Sequence, residues 1–245
     1  MLANTPGPGA SLLNERAQKD LSMTARAHQE LERQIVSGEI RGGSKLKECE
    51  LAKSFGVSRG PVREAFRALD QAGLVRFEKN RGVFVRQVSL EEASDIYEVR
   101  ASLEGLIGRL AARRIDAEQV RQLRSLVANM ALLHASLDEA AYFALNIEFH
   151  ALLARMSRNA ALVATYKRTI NELDLFRRQT LKLDTSNITL STAEHLAIVN
   201  AVAARDEDLA AELMTAHALQ SCRRLHAAIA RNGAANAADN AVRQP

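Results

Sequence analysis

The sequence predicts a mainly α-helical protein of two domains, with its strands confined to one short β-hairpin. At 245 residues, of which 47% are hydrophobic, the chain is long enough to fill two cores. Aromatic residues make up only 4% of the chain and Trp is absent, whereas the helix-favouring residues Ala, Leu, Arg and Glu are abundant. Helix is therefore expected to dominate over sheet.

The expected elements follow the apolar periodicity of the chain. Residues 1–20 and 232–245 lack this periodicity and are rich in small or polar residues, so they are expected to form a flexible arm and a flexible tail. Helices are expected near residues 25–37, 47–55, 59–72, 90–114, 117–134, 137–157, 160–183, 192–204 and 207–230.

Turn and capping signals place the boundaries between these elements. Strands are expected at 74–77 and 83–86, because the Asn and Gly between them suit a hairpin turn. A boundary near 87–89 divides the chain into domains at 21–88 and 89–231. Three residue pairs have the spacing of a helix-starting capping box: Ser89 with Glu92, Ser136 with Glu139, and Ser191 with Glu194.

Composition also excludes some classes of protein. No apolar run is long enough for a membrane span, and no secretory leader is recognisable, so a cytoplasmic protein without membrane contact is expected. The two cysteines, Cys49 and Cys222, lie far apart in the sequence, which favours neither a disulfide framework nor a thiolate zinc site. Reduced thiols are expected.

The positive charge is concentrated in the first domain. Residues 21–88 contain 13 Lys and Arg against 8 Asp and Glu, whereas the rest of the chain is nearly neutral. A basic domain joined to a neutral one indicates a polyanionic partner for the basic domain alone.

Two consecutive helices in this basic domain have the pattern of a helix-turn-helix. The first is expected to end at Gly56, which adopts a left-handed conformation at little cost, and Ser58 can cap the second. Arg59, Arg63 and Arg67 recur every four residues and therefore share one face of the second helix. Arginine can bond a guanine edge or a phosphate at two points, so this face is predicted to read DNA.

The hairpin that follows is predicted to act as a wing. Lys79, Arg81 and Gly82 lie at its tip, from which they could reach the DNA backbone or the minor groove. The whole segment resembles the winged helix-turn-helix of the GntR family of regulators. The residues that carry this resemblance are Gly43 to Leu46, Glu50 to Ala52, Gly56 to Arg59, Pro61 to Ala65, Leu69, Gly73 to Val75, and Arg81 with Gly82.

This resemblance implies DNA-contacting roles for individual residues. Arg59, Arg63 and Gly82 correspond to DNA-contacting positions of the family. Cys49 stands where some members carry a DNA-contacting arginine, and this departure is expected to alter the operator preference.

The second domain resembles the FCD effector domain of the FadR-type branch, an all-helical bundle. The resemblance is carried by Arg100 to Glu104, Asn146 to His150, Glu194 with His195, Arg205 with Asp206, and His217. It implies a divalent metal site at Asn146, His150, His195 and His217, where the usual carboxylate ligand is replaced by an amide. It further implies a homodimer in which each winged domain reads half of a double-stranded pseudo-palindromic operator.

Spacing alone makes a shared histidine site feasible. Asn146 and His150 lie one helical turn apart. A helical hairpin turning near Arg205 would bring His195 and His217 to similar depths. Three neutral imidazoles suit Zn²⁺ or Ni²⁺, although the amide of Asn146 lowers the expected affinity, and an anionic ligand held without metal is the alternative.

A small anionic effector is expected in the same domain. Arg100 is the residue expected to pair with its carboxylate or phosphonate group, and a salt bridge within the protein is the alternative role. Segments around Arg59 to Phe66 and Asn80 to Phe84, together with Asn146, resemble regulators associated with phosphonate utilisation. A repressor controlled by such a metabolite is the predicted function.

Two other classes of function share features with this sequence. The three histidines could serve a metal-dependent hydrolase, but neither Glu148 nor Glu194 is placed as a clear general base, so no enzyme is expected. A nonspecific DNA-compacting protein would also be basic, but it would show no sequence preference.

Overall fold

The computed structural model describes the backbone of residues 8–136, 139–180 and 188–242, and the side chains of residues 23–133, 141–177 and 189–231. The chain divides into two compact units, Met1–Gln87 and Val88–Pro245. This division falls inside the segment where the turn and capping signals place it. Across the described residues, no helix is both long and apolar enough to cross a bilayer.

The first unit is a winged helix-turn-helix with a small antiparallel sheet. In chain order its elements are α1 (Pro8–Ser37), β1 (Lys45–Leu46), α2 (Glu48–Phe55), α3 (Arg59–Gln71), β2 (Val75–Glu78) and β3 (Gly82–Val85). The strands are ordered β1-β3-β2, with Val75 opposite Val85 and Leu46 opposite Val83. The two-residue β1 is too short to show a period, so the sequence does not predict it.

The turn between α2 and α3 forms as the sequence indicates. Gly56 ends α2 with a φ of 64°, and its N–H points to the carbonyls of Ala52 and Lys53. Ser58 is extended and occupies the N-cap position of α3, but its hydroxyl makes no capping hydrogen bond. The inner face of α3 packs into a core shared with α1; the buried residues are Leu31, Ile35, Val62, Ala65, Phe66 and Leu69.

The second unit is an all-helical bundle. Its helices are α4 (Leu90–Arg114), α5 (Ala117–Ser136), α6 (Glu139–Met156), α7 (Ala160–Thr180), α8 (Ile188–Ala203) and α9 (Glu207–Val242). The most extensive helix pairing is between α4 and α9. Gly105 and Gly108 permit this approach, since a Cβ on Gly108 would lie 2.5 Å from the carbonyl oxygen of Ala210.

Several helix ends differ from those expected. The helix α1 begins at Pro8 and α9 continues to Val242, so most of the expected flexible arm and tail is helical. Ala and Leu in the first segment, and Ala in the second, outweigh the scattered Gly, Asn and Pro, because Ala and Leu are among the strongest helix formers.

The three capping signals have different outcomes. The hydroxyl of Ser89 accepts the N–H of Glu92 at 3.1 Å, so this start of α4 is confirmed. Ser191 lies inside α8, which begins three residues earlier at Ile188, so its expected capping role is wrong. The side chains of Ser136 and Glu139 lie outside the described residues.

Candidate nucleic-acid interface and candidate metal centre

The outer face of α3 presents the row of arginines that the four-residue spacing predicts. Arg59, Arg63 and Arg67 have side-chain exposures of 58%, 57% and 68%. Residues of the opposite face are buried against α1, so the arginine row points away from the core. The face can therefore approach a polyanion without unfolding any part of the unit.

A carboxylate that the sequence analysis missed joins two of these arginines. Glu48, the first residue of α2, accepts hydrogen bonds from Nε of Arg59 and, at 2.8 Å, from Nε of Arg63. The hydrogen bond from Arg63, with that from Arg59, lowers the pKa of Glu48 despite partial burial of its carboxylate. No periodic pattern could reveal this contact, since Glu48 lies 11 and 15 residues before its partners.

The wing is formed by the turn between β2 and β3. Asn80 and Gly82 both have positive φ, 60° and 111°, which is why Asn and Gly suit these positions. Lys79, Arg81 and Gly82 are exposed at the tip. Arg81 forms an ion pair with Glu78, so its guanidinium is partly engaged within the wing.

In the helical unit, three histidines from three helices converge in the interior. His150 on α6, His195 on α8 and His217 on α9 are 5%, 0% and 3% exposed. Each offers a ring nitrogen, and these atoms lie within 4.8 Å of one another. The turn between α8 and α9 passes through Arg205 with a φ of 58°, where the predicted hairpin turns.

The imidazoles of His150 and His195 have no hydrogen-bond partner among the described residues, although all four nitrogens are buried. Unsatisfied buried polar atoms are costly, so a ligand that bonds them would be favoured. Burial, reinforced by the neighbouring His217, lowers the pKa of both imidazoles well below 6.5. The two rings are thus neutral near pH 7, which is the form that binds metals.

His217 is held by a second carboxylate that the sequence analysis did not assign to the site. Oε2 of Glu194 lies 2.6 Å from Nδ1 of His217, and both Glu194 oxygens accept hydrogen bonds from Arg224. Although burial opposes ionisation, the contacts with His217 and Arg224 lower the pKa of Glu194 to about 2. Because a carboxylate only accepts, the proton in this contact lies on Nδ1, which is the tautomer whose Nε2 can bind a metal.

Arg100 is buried beside the cluster but is already paired. Its Nε and Nη2 atoms lie 2.9 and 2.8 Å from Oε1 of Glu104, which also accepts the hydroxyl of Tyr166 at 2.7 Å. Nδ1 of His150 approaches the same oxygen at 3.4 Å without forming a hydrogen bond. The salt bridge given above as the alternative role is therefore present, and an effector contact by Arg100 stays a prediction.

A second arginine near the cluster was not singled out from the sequence. Arg177 on α7 donates to the hydroxyl of Tyr97 at 2.5 Å, and the Arg100 and Arg177 guanidiniums lie 5.5 and 5.6 Å from the centre of the Tyr97 ring. Asn146 lies one turn before His150 on α6 and is half-buried. Its role as a ligand also stays a prediction.

The ring nitrogens of His150, His195 and His217 are better suited to binding a divalent transition metal than to filling an apolar core. Two unpartnered neutral imidazoles and a third oriented by Glu194 provide three nitrogen ligands of the kind that Zn²⁺ and Ni²⁺ prefer. A carboxylate behind a ligating imidazole is also usual in such sites.

Comparison with known families matches both units. Residues 23–85 match the family model "Bacterial regulatory proteins, gntR family", and residues 95–221 match the FCD domain. The Nta operon transcriptional regulator of Aminobacter aminovorans is 34% identical over 74% of this chain and 84% of its own length. The transcriptional repressor RspR of Escherichia coli is 31% identical over 76% of this chain and 82% of its own length.

Solved structures show the same architecture. A GntR transcriptional regulator from Rhodococcus sp. RHA1 is similar with a TM-score of 0.66 and 25% identity, covering 84% of this chain and 99% of that one. McbR/YncC of E. coli is similar with a TM-score of 0.69 and 18% identity, covering 83% of this chain and 97% of that one. An identity this low shows likeness of fold alone. The relatives from Aminobacter and Rhodococcus, and RspR of E. coli, are named as transcriptional regulators or repressors and not as enzymes.

Proposed function

Because the chain belongs to the GntR family of bacterial regulators and carries an FCD domain, we propose that it is an operator-specific repressor controlled by a small anionic metabolite. The exposed arginine row of α3, set on a winged helix-turn-helix, carries the DNA-binding half of this proposal. The buried histidine cluster carries the effector half.

DNA recognition is assigned to α3 and the wing. Arg59, Arg63 and Arg67 would enter the major groove, where a guanidinium can bond O6 and N7 of guanine together. Ser58 and the wing residues Lys79, Arg81 and Gly82 would contact the sugar-phosphate backbone or the minor groove. Because phosphate contacts position a protein but carry no sequence information, specificity is assigned to the arginines.

The histidine cluster is proposed to hold a divalent ion and the effector. His150, His195 and His217 would be the ligands, with Asn146 contributing an amide oxygen in place of a carboxylate. A bound ion would supply coordination positions open to a carboxylate or phosphonate oxygen. Arg100 would donate a charge-assisted hydrogen bond to the same anion. A phosphonate with two negative charges would suit the two nearby guanidiniums, those of Arg100 and Arg177.

Regulation requires the effector to bind more tightly to one arrangement of the molecule than to another. We propose that the protein is a homodimer and that effector binding changes the relative position of its two winged domains. Operator affinity would then fall by the same factor by which DNA lowers effector affinity.

One crossed experiment tests both halves. An operator is selected by the wild-type protein from a randomised duplex library, and bound metal and small molecules are identified by mass spectrometry of the purified protein. Arg63→Ala should lose selective operator binding but keep its metal, and His150→Ala should lose metal but keep operator binding. If wild-type protein selects no sequence, it is a nonspecific DNA binder; if it carries no metal after incubation with Zn²⁺ or Ni²⁺, the metal assignment fails.

A further inference from the structure

Glu48 lies among the proposed DNA-reading arginines, where a negative charge opposes DNA binding. It is the first residue of α2, a position at which the helix dipole favours a carboxylate, and its side chain is 21% exposed. We infer that Glu48 is a positioning residue that sets the sequence specificity of α3. This inference rests on the proposed function of the arginine row.

The hydrogen bonds to Glu48 use one particular edge of each guanidinium. Arg59 and Arg63 both donate through Nε, and among the described residues their terminal nitrogens have no hydrogen-bond partner. The end of each guanidinium, with two N–H groups side by side, is therefore left for O6 and N7 of a guanine. Glu48 thus directs both arginines to approach bases end-on.

The same contacts reduce the conformational freedom that each arginine would otherwise lose when DNA binds. Long side chains must give up many rotamers on binding, and a partner that restrains them beforehand lowers this cost. A single carboxylate restrains two arginines one helical turn apart, so their relative spacing is set before the protein meets DNA.

Charge also discriminates against nonspecific sites. The cluster of Glu48, Arg59 and Arg63 has a net charge of one instead of two, which weakens attraction to phosphates at any sequence. Only at an operator with correctly placed guanines do the hydrogen bonds to bases offset the attraction to phosphates that the carboxylate removes. Glu48 should therefore weaken nonspecific binding and strengthen specific binding relative to an uncharged side chain.

Glu50 provides a matched control on the same helix. It lies two residues beyond Glu48, is 69% exposed and pairs with Lys47 instead of the recognition arginines. Glu50→Gln removes the same charge from α2 without touching Arg59 or Arg63. Glu48→Gln and Glu50→Gln are therefore equal in charge and differ in their effect on the arginine pair.

The test compares affinities for two duplexes at fixed salt: the operator selected by wild-type protein and an unrelated duplex of equal length. Glu48→Gln should bind the unrelated duplex more tightly and lower the ratio of operator to nonspecific affinity on the order of tenfold. Glu50→Gln should leave this ratio within about twofold of wild type. Glu48→Asp keeps the charge but shortens the reach, so it should lose operator affinity without gaining nonspecific affinity.

A ratio for Glu48→Gln that matches wild type overturns the inference, as does an equal loss of affinity for both duplexes, which would mark Glu48 as a purely structural residue. Thermal unfolding of each variant checks that the fold is intact, and if Glu48→Gln unfolds, Glu48→Asp decides. Failure of wild-type protein to select any operator would instead contradict the proposed function.

Discussion

At the scale of single residues, the carboxylate of Glu194 orients one member of the histidine cluster, His217. Its Oε2 atom fixes the proton of His217 on Nδ1, and Arg224 in turn fixes Glu194. Without this carboxylate, the ring of His217 could turn or change tautomer, so that Nε2 would no longer be held as a ligand.

Glu194→Gln should therefore weaken the affinity for Zn²⁺ or Ni²⁺ by about 10- to 100-fold, the usual effect of removing a partner of a ligating histidine. Competition with a chromophoric chelator measures this loss, and NMR of the His217 ring reports its tautomer. Glu212→Gln, at an exposed position on α9, the helix that carries His217, is the control. Equal metal affinity in the two variants would contradict the positioning role.

Periodicity explains which site residues could be predicted. Arg59, Arg63 and Arg67 repeat at helical spacing, and their exposure on one face of α3 follows from that spacing alone. Glu48 and Glu194 could not be found in this way. Their partners lie 11 to 30 residues away in the sequence, and only tertiary packing brings them into contact.

At the scale of elements, the close packing of α4 against α9 depends on residues without side chains. A Cβ at Gly108 would lie 2.5 Å from the Ala210 carbonyl oxygen and 2.9 Å from Met214. In an ordinary helix, Gly→Ala stabilises by about 1 kcal/mol. Here the two helices would have to separate, and overpacking of this kind costs about 1 to 3 kcal/mol.

Gly108→Ala should consequently lower the thermal stability of the helical unit, with a sign opposite to that expected from helix propensity. Differential scanning calorimetry of the whole chain measures the change. Gly60→Ala on α3, where a new Cβ meets nothing within 4 Å apart from its chain neighbours, should lower the stability less than Gly108→Ala does. A Gly108→Ala protein more stable than wild type would mean that α4 and α9 can separate without loss.

Most helices were predictable because their apolar positions recur over several turns, and the wing was predictable from its turn residues. Helix ends were not equally predictable. The start of α8 at Ile188 precedes the capping signal at Ser191, since a favourable cap in the sequence does not compel a helix to begin there. The outermost parts of α1 and α9 depend on small differences in propensity, which composition describes poorly.

At the scale of the whole molecule, the proposed homodimer makes a geometric prediction about its operator. Two identical winged domains related by a twofold axis read two half-sites on the same face of DNA. Insertion of about five base pairs between the half-sites rotates one of them by about half a turn. Affinity should then fall to that of a single half-site, as measured by electrophoretic mobility shift.

The same insertion placed outside the two half-sites should leave affinity unchanged. Affinity that is indifferent to the inner insertion would indicate monomers that bind independently, and sedimentation velocity would then show a monomer.

At this scale, local motifs in the sequence could indicate the regulator family and its DNA-reading unit. The identity of the effector could not be predicted, because it depends on how side chains from several helices are arranged around the histidine cluster.

The shared carboxylate of Glu48 also bears on how such a protein would find its target. A regulator searches a genome in which random sequence vastly outnumbers operators, and time spent on each wrong site lengthens the search. A recognition helix with two arginines and no neighbouring carboxylate would dissociate more slowly from nonspecific DNA. By halving the net charge of that pair, Glu48 would shorten each unproductive stay, so that a few copies of the protein could survey more DNA in one cell generation.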